Sequence, residues 1–92
     1  PRPRRRRRIG RKPDASFFKP QGYRRQGLDI VILREDEYEA LRLKDLERLD
    51  QVVCAEKMDV SQPTFHRILL DARKKTADAI VNGKGLKIEG KE

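Results

Sequence analysis

Ser61, Gln62, Thr64, His66 and Arg67 fall within seven residues, and each carries a directional hydrogen-bonding side chain. Gln matches the major-groove edge of adenine in a bidentate way, and Arg matches that of guanine. Ser and Thr hydroxyls, together with the free N–H groups of a helix start, hold phosphate oxygens. Pro63 and Leu70 complete the same outward surface, and Arg73, Lys74 and Lys75 follow with cations suited to a polyanion backbone. A second cationic group stands apart: Arg2, Arg4, Arg5, Arg6, Arg7 and Arg8 crowd the first eight positions. Dense arginine runs meet anions, and Arg side chains also enter narrow A·T-rich minor grooves.

Catalytic chemistry finds no comparable grouping. The sequence holds one His and one Cys, with no Ser/His/Asp set, no Gly-rich phosphate loop and no Cys/His cluster for zinc. His66 is expected as a surface polar contact, and Cys54, on an apolar stripe, as core rather than nucleophile. The carboxylates sit at helical surface spacings with no apolar pocket to raise a pKa. The expectation is a protein that is not an enzyme, with no cofactor and no metal.

Those side chains need elements to hold them. With 92 residues the chain has room for one small domain. Hydrophobic residues make up 36% and charged residues 41%, so the core is thin and a second copy or a bound partner would help it. The net charge of +8 is unevenly placed. Residues 1–27 contain 11 basic residues and one acid, whereas residues 28–92 contain 12 basic and 14 acidic residues. A basic arm on a nearly neutral body predicts a polyanionic partner, most often nucleic acid. Residues 1–16 read as a flexible, disordered basic arm, because like charges repel and Pro1, Pro3 and Pro13 interrupt any helix. Phe17 and Phe18 are expected to anchor it to a domain over residues 17–92. The longest apolar run, Ile30 to Leu33, is too short for a membrane span, and no apolar stretch follows the basic start as in a secretory signal. Pro1 is compatible with loss of an initiator Met. One cysteine fits a reducing compartment, so the expected location is the cytoplasm, on the nucleoid.

Leu28 to Leu33 predicts a short strand, with Leu28, Ile30 and Ile32 on one face and Val31 and Leu33 on the other. Residues 86–89 are the other strand candidate, and the two pair either within one chain or between two copies as a homodimer. The first helix is predicted from Asp36, with Glu39 completing a capping box and Tyr38, Leu41, Leu46 and Leu49 as its stripe. Its seven acids against three bases across residues 35–50 turn it away from a polyanion. The second helix runs from an Asp50 cap to Met58. The third starts at a Ser61 cap and runs to about Val81, with Phe65, Ile68, Leu69, Ala72, Thr76 and Ile80 inward and Asn82-Gly83 as the stop.

Residues 50–81 fit a helix-turn-helix. Ala55 is small where the helices cross, Asp59 occupies the turn position that needs φ > 0, and Val60 plugs the turn. Cys54, Met58, Phe65 and Ile68 close a core beneath, and Pro63 falls in the first helical turn, where a missing N–H costs nothing. Such a unit lays the start of its second helix in the major groove.

The segments Phe18-Lys19-Pro20-x-Gly22, 36–47 (Asp-Glu-Tyr-Glu-Ala-Leu-Arg-Leu-x-Asp-Leu-Glu), Val60-Ser61-x-Pro63-Thr64-Phe65-x-Arg67-Ile68-Leu69, 72–79 and Val81-Asn82-Gly83-Lys84 resemble a family of small, uncharacterised prokaryotic proteins predicted to bind DNA. Their helix-turn-helix is similar to region 4 of primary sigma factors. The resemblance spans nearly the whole chain. Asp59 stands where Gly is commoner, and Arg48 and Asp50 replace the Gly and Ser usual between the first two helices. The resemblance implies sequence-specific recognition of double-stranded DNA by a transcriptional regulator.

The expected fold is therefore mostly α: a three-helix helix-turn-helix domain with two short β-strands and the arm. The alternatives are an RNA-binding or ribosome-associated protein, since Arg-rich arms fold on RNA, and a protein-interaction adaptor using Val31, Leu33 and Leu70. A membrane-surface role is disfavoured because the arm lacks interleaved large apolar residues.

Overall fold

The computed structural model describes residues 16–22 and 27–89. The body of the arm, with Arg2 and Arg4 to Arg8, lies outside the described residues.

Three helices and a small sheet make up the domain. In chain order they are β1 (Phe17–Phe18), β2 (Ile30–Leu33), α1 (Glu35–Leu41), a π-helical turn (Arg42–Leu46), α2 (Gln51–Met58), α3 (Gln62–Asn82) and β3 (Gly85–Ile88). The sheet has order β1-β3-β2. β2 and β3 pair parallel within the chain, Ile30 opposite Gly85 through Leu33 opposite Ile88, and β1 pairs antiparallel to β3. Two strands were expected; the third comes from the Phe17-Phe18 anchor, whose preceding Ser16 carbonyl accepts the Ile88 N–H at 2.8 Å. The predicted alternation of β2 holds. Leu33 is buried and Val31 partly so, whereas Ile30 and Ile32 face outward, about half exposed.

Helix α1 starts two residues before the expected Asp36 cap. Arg34 is the N-cap, and the buried Glu37 carboxylate accepts its backbone N–H at 2.8 Å. Glu37 lies three residues after Arg34, the spacing of a capping box, which also brings Glu35, Asp36 and Glu37 into the first turn, where the helix dipole favours acids. At the other end the Glu47 N–H reaches the Arg42 carbonyl at 2.8 Å, five residues back. This wider turn rotates the stripe. Ala40 and Leu43 enter the core and the expected Leu46 swings out to 69% exposure.

Two apolar clusters share the inward face of α3. Ala40, Leu43, Cys54, Ala55, Met58, Phe65, Ile68 and Leu69 form the helical core, while Leu33, Ala72 and Ile88 join the sheet to the middle of α3; Leu41 touches both. Phe65, Ile68, Leu69 and Ala72 are buried as expected, but at the last turn Ala79 is inward and Ile80 lies 76% exposed. A 3.6-residue period puts position 79, seven beyond Ala72, back on the buried face, which eight residues overshoots. Gly83 in the left-handed region (φ 66°) stops α3, and the chain turns into β3, which runs back along the helix so that Ile88 reaches the level of Ala72.

Candidate nucleic-acid interface

The site is built on one abrupt bend. Asp59 adopts φ 60°, ψ 46°, the left-handed conformation that Asp tolerates better than most L-residues. Its N–H bonds the Glu56 carbonyl at 3.1 Å, and the Val60 N–H bonds that of Ala55 at 3.0 Å, closing α2. Val60 packs on the helical core and Ala55 is buried where the two helices meet. A second left-handed residue, Arg48 (φ 63°), bends the chain between the π-helical turn and α2, at the place where the family resemblance expects Gly. The domain thus strains two ordinary side chains to set the angles of α2.

Beyond the bend Ser61 caps α3. Its Oγ accepts the Thr64 N–H at 3.3 Å and donates to Thr64 Oγ1 at 2.9 Å. These hydroxyls engage each other, so the expectation that both hold a phosphate is narrowed to what remains of their capacity. Gln62, Pro63, His66, Arg67 and Leu70 are exposed on the outward arc, with Thr64 half-buried at its edge. Arg67 makes no ion pair among the described residues. The first turn of α3 carries no acid.

The three cations further along α3 divide. Lys74 is exposed. Arg73 makes a two-point bridge to Asp45, Nη2 to Oδ1 at 2.6 Å and Nε to Oδ2 at 3.1 Å, and its guanidinium holds the Asp45 carboxyl below the usual carboxylate range. Lys75 Nζ lies 2.9 Å from Oε1 of the fully buried Glu37, whose other oxygen has no hydrogen-bond partner and faces the Arg34 guanidinium at 3.4 Å. Two of the three expected backbone contacts therefore tie α3 to the α1 region. Sequence spacing gave no sign of this, because the partners lie 28 and 38 residues away.

Glu39, also buried, accepts from Arg42 Nη2 at 2.8 Å and from Arg42 Nε at 3.0 Å. Cys54 is buried and donates to the Leu49 carbonyl at 3.6 Å, and burial pushes its thiol pKa up. Among the described residues no group of three His, Cys, Asp or Glu side chains is placed to hold a metal, and no helix is long and apolar enough to cross a membrane.

Comparison with known proteins gives a consistent family match. The model of the family described as "Protein of unknown function DUF134" matches residues 1–92. A UPF0251 protein of Thermoanaerobacter pseudethanolicus is 53% identical over 98% of this chain and 76% of its own length. One from Caldanaerobacter subterraneus is 51% identical over 98% of this chain and 76% of its own length, and one from Pelotomaculum thermopropionicum is 50% identical over 98% and 68%. No solved structure matches. On both grounds the chain belongs to the DUF134 family, whose relatives carry the designation UPF0251.

Proposed function

We propose that this chain is a sequence-specific double-stranded DNA-binding protein acting in transcription regulation. The amino half of α3 enters the major groove, in the manner of the sigma region 4 helix-turn-helix it resembles. The observation that carries this reading is the left-handed break at Asp59, which starts α3 as a separate helix whose first turns present Gln62, His66 and Arg67 to solvent. In this reading Gln62 and Arg67 read base edges, and Lys74 with the amino end of α3 contacts phosphates. Arg73 and Lys75 act as struts that fix the angle of α3 against α1.

The arm adds affinity with little sequence preference. Ser16 is fixed to Ile88, which packs at the level of Ala72, ten residues beyond Gln62. Ten helical residues rise ~15 Å. Seven residues separate Arg8 from Ser16, and a chain of eight peptide steps can span up to ~26 Å, a length sufficient for the arginines to reach the groove proposed for α3. Deleting residues 2–8 removes six arginines. Where these neutralise phosphates, the slope of log K against log salt flattens by ~0.9 per contact, several units in all.

A titration of duplex DNA with Arg67→Ala tests the reading. The variant is expected to lose ~1–3 kcal/mol on a preferred site and much less on random sequence. Equal losses on both would reduce Arg67 to a phosphate contact. Preferential competition by structured RNA would replace the DNA reading with an RNA one.

A further inference from the structure

We infer that the cleft between β1 and the carboxyl end of α3 binds a small amphipathic carboxylate, its apolar tail against Phe18 and Ile80 and its anionic head at Lys19 and Lys84. The cleft follows from how the elements end. Gly83 stops α3, the chain turns back into β3, and β1 lies at the edge of the sheet beside β3. Phe18 and Ile80 belong to neither apolar cluster and stay 53% and 76% exposed. The cleft they border measures about 360 Å³. That lies within the ~300–1,000 Å³ of small-molecule sites. At ~30 Å³ for each water-sized group it holds on the order of ten non-hydrogen atoms.

The lining decides what those atoms are. Phe18, Pro20, Ala79, Ile80 and Leu86 supply apolar walls, and no acid is among the lining residues. Thr76 Oγ1 already donates to the Ala72 carbonyl at 2.8 Å, and the Gly83 and Lys84 N–H groups both go to the Ala79 carbonyl. The side-chain donors left for a ligand are the Lys19 and Lys84 ammoniums. Lys84 Nζ also donates to Asp78 Oδ2 at 2.9 Å, which positions the ammonium and occupies one of its three donors. Lys19 Nζ lies 5.8 Å from the Phe17 ring centroid, on the β1 side of the cleft. Two ammoniums beside an apolar trough match a ligand with one anionic end, through charge-assisted hydrogen bonds, and repel a cation.

Phe18 adjoins the Ser16 anchor of the arm, and α3 carries the proposed recognition surface at its other end. Effector control of DNA binding through this cleft rests on the DNA-binding reading, so the site itself is tested without nucleic acid. Octanoate, a carboxylate of the size the cleft holds, is titrated into the full chain and followed by amide chemical shifts. Saturable shifts centred on Phe18, Ala79, Ile80 and Leu86 are expected, with a Kd below ~1 mM and with Gln62 and Arg67 unmoved. Octylammonium, of opposite charge, and butanoate, with less tail to bury, should each bind at least about tenfold more weakly. Lys19→Met with Lys84→Met should raise the octanoate Kd about tenfold with helical circular dichroism intact. Asp78→Asn should lower it about threefold, because a competing carboxylate is gone. The absence of saturable shifts at the cleft, octylammonium bound as tightly as octanoate, or an octanoate Kd unchanged in the double lysine variant would overturn the assignment.

Discussion

Replacing Lys75 with Met removes an ammonium and keeps most of the aliphatic stem, which isolates its pairing with Glu37. The Glu37 carboxylate is fully buried and holds Lys75 Nζ at 2.9 Å, the Arg34 N–H at 2.8 Å and the Arg34 guanidinium at 3.4 Å. Removing one partner of a buried ion pair costs ~3–5 kcal/mol, because a charge is left in a poor medium. Two features reduce that figure here. Lys75 is one-third exposed, so part of its interaction is screened by water, and Arg34 still faces the carboxylate after the change. A loss of ~2 kcal/mol is expected, near that of one hydrogen bond to a charged group. For a domain of this size each kcal/mol shifts Tm by ~4–8 °C, so the variant should melt ~8–16 °C lower. Thermal unfolding followed by circular dichroism measures it directly. Adding Glu37→Gln to Lys75→Met removes the stranded charge, and the double variant should recover to within ~1 kcal/mol of wild type. A single variant melting within ~2 °C of wild type, with no coupling in the double, would refute the strut and return Lys75 to the set of free cations.

Other consequences follow from the same geometry. Asp59→Val puts a β-branched residue into the left-handed region and should cost ~1–2 kcal/mol in denaturant melts, whereas Asp59→Gly should stay within ~1 kcal/mol of wild type. The Asp45 carboxyl is held low by Arg73, so the folded pKa lies below the unfolded one. That pair therefore stabilises above the unfolded carboxylate range of ~3.9 and loses its contribution as pH falls through the lower folded value. The pair is exposed, so the effect is under ~1 kcal/mol, and Asp45→Asn should remove that part of the acid limb. Cys54 should react slowly with a thiol reagent in the native protein and rapidly in denaturant; native labelling at the rate of a free thiol would contradict its burial.

The helix-turn-helix was legible because it is local. The spacing of Cys54, Ala55, Met58, Phe65 and Ile68, the Asp59 bend and the Ser61 cap all lie within fifteen residues, where backbone and side-chain preferences act together. The parallel pairing of β2 with β3 was not, because a sequence of this kind fits pairing within or between chains equally well. At the start of α1 two acids, Glu37 and Glu39, compete at capping-box spacing. Glu37 takes the role because Lys75 and Arg34 converge on its carboxylate, and the distant Lys75 is not announced by any neighbour in sequence. The π-helical turn has the same character: it shifts the buried stripe from Leu46 to Leu43 so that Leu43 meets the α2–α3 core. The basic run at Arg73 to Lys75 reads as one cationic patch along the chain and separates only when α1 is folded against it.

Selection of bound fragments from a random duplex library, with wild type and a Gln62→Ala, Arg67→Ala double variant in parallel, asks whether Gln62 and Arg67 read bases. A recurring motif is expected for the wild type, with information lost at discrete positions in the variant. Recovery of no motif, or of the same motif by both proteins, would contradict the placement of the amino half of α3 against the bases.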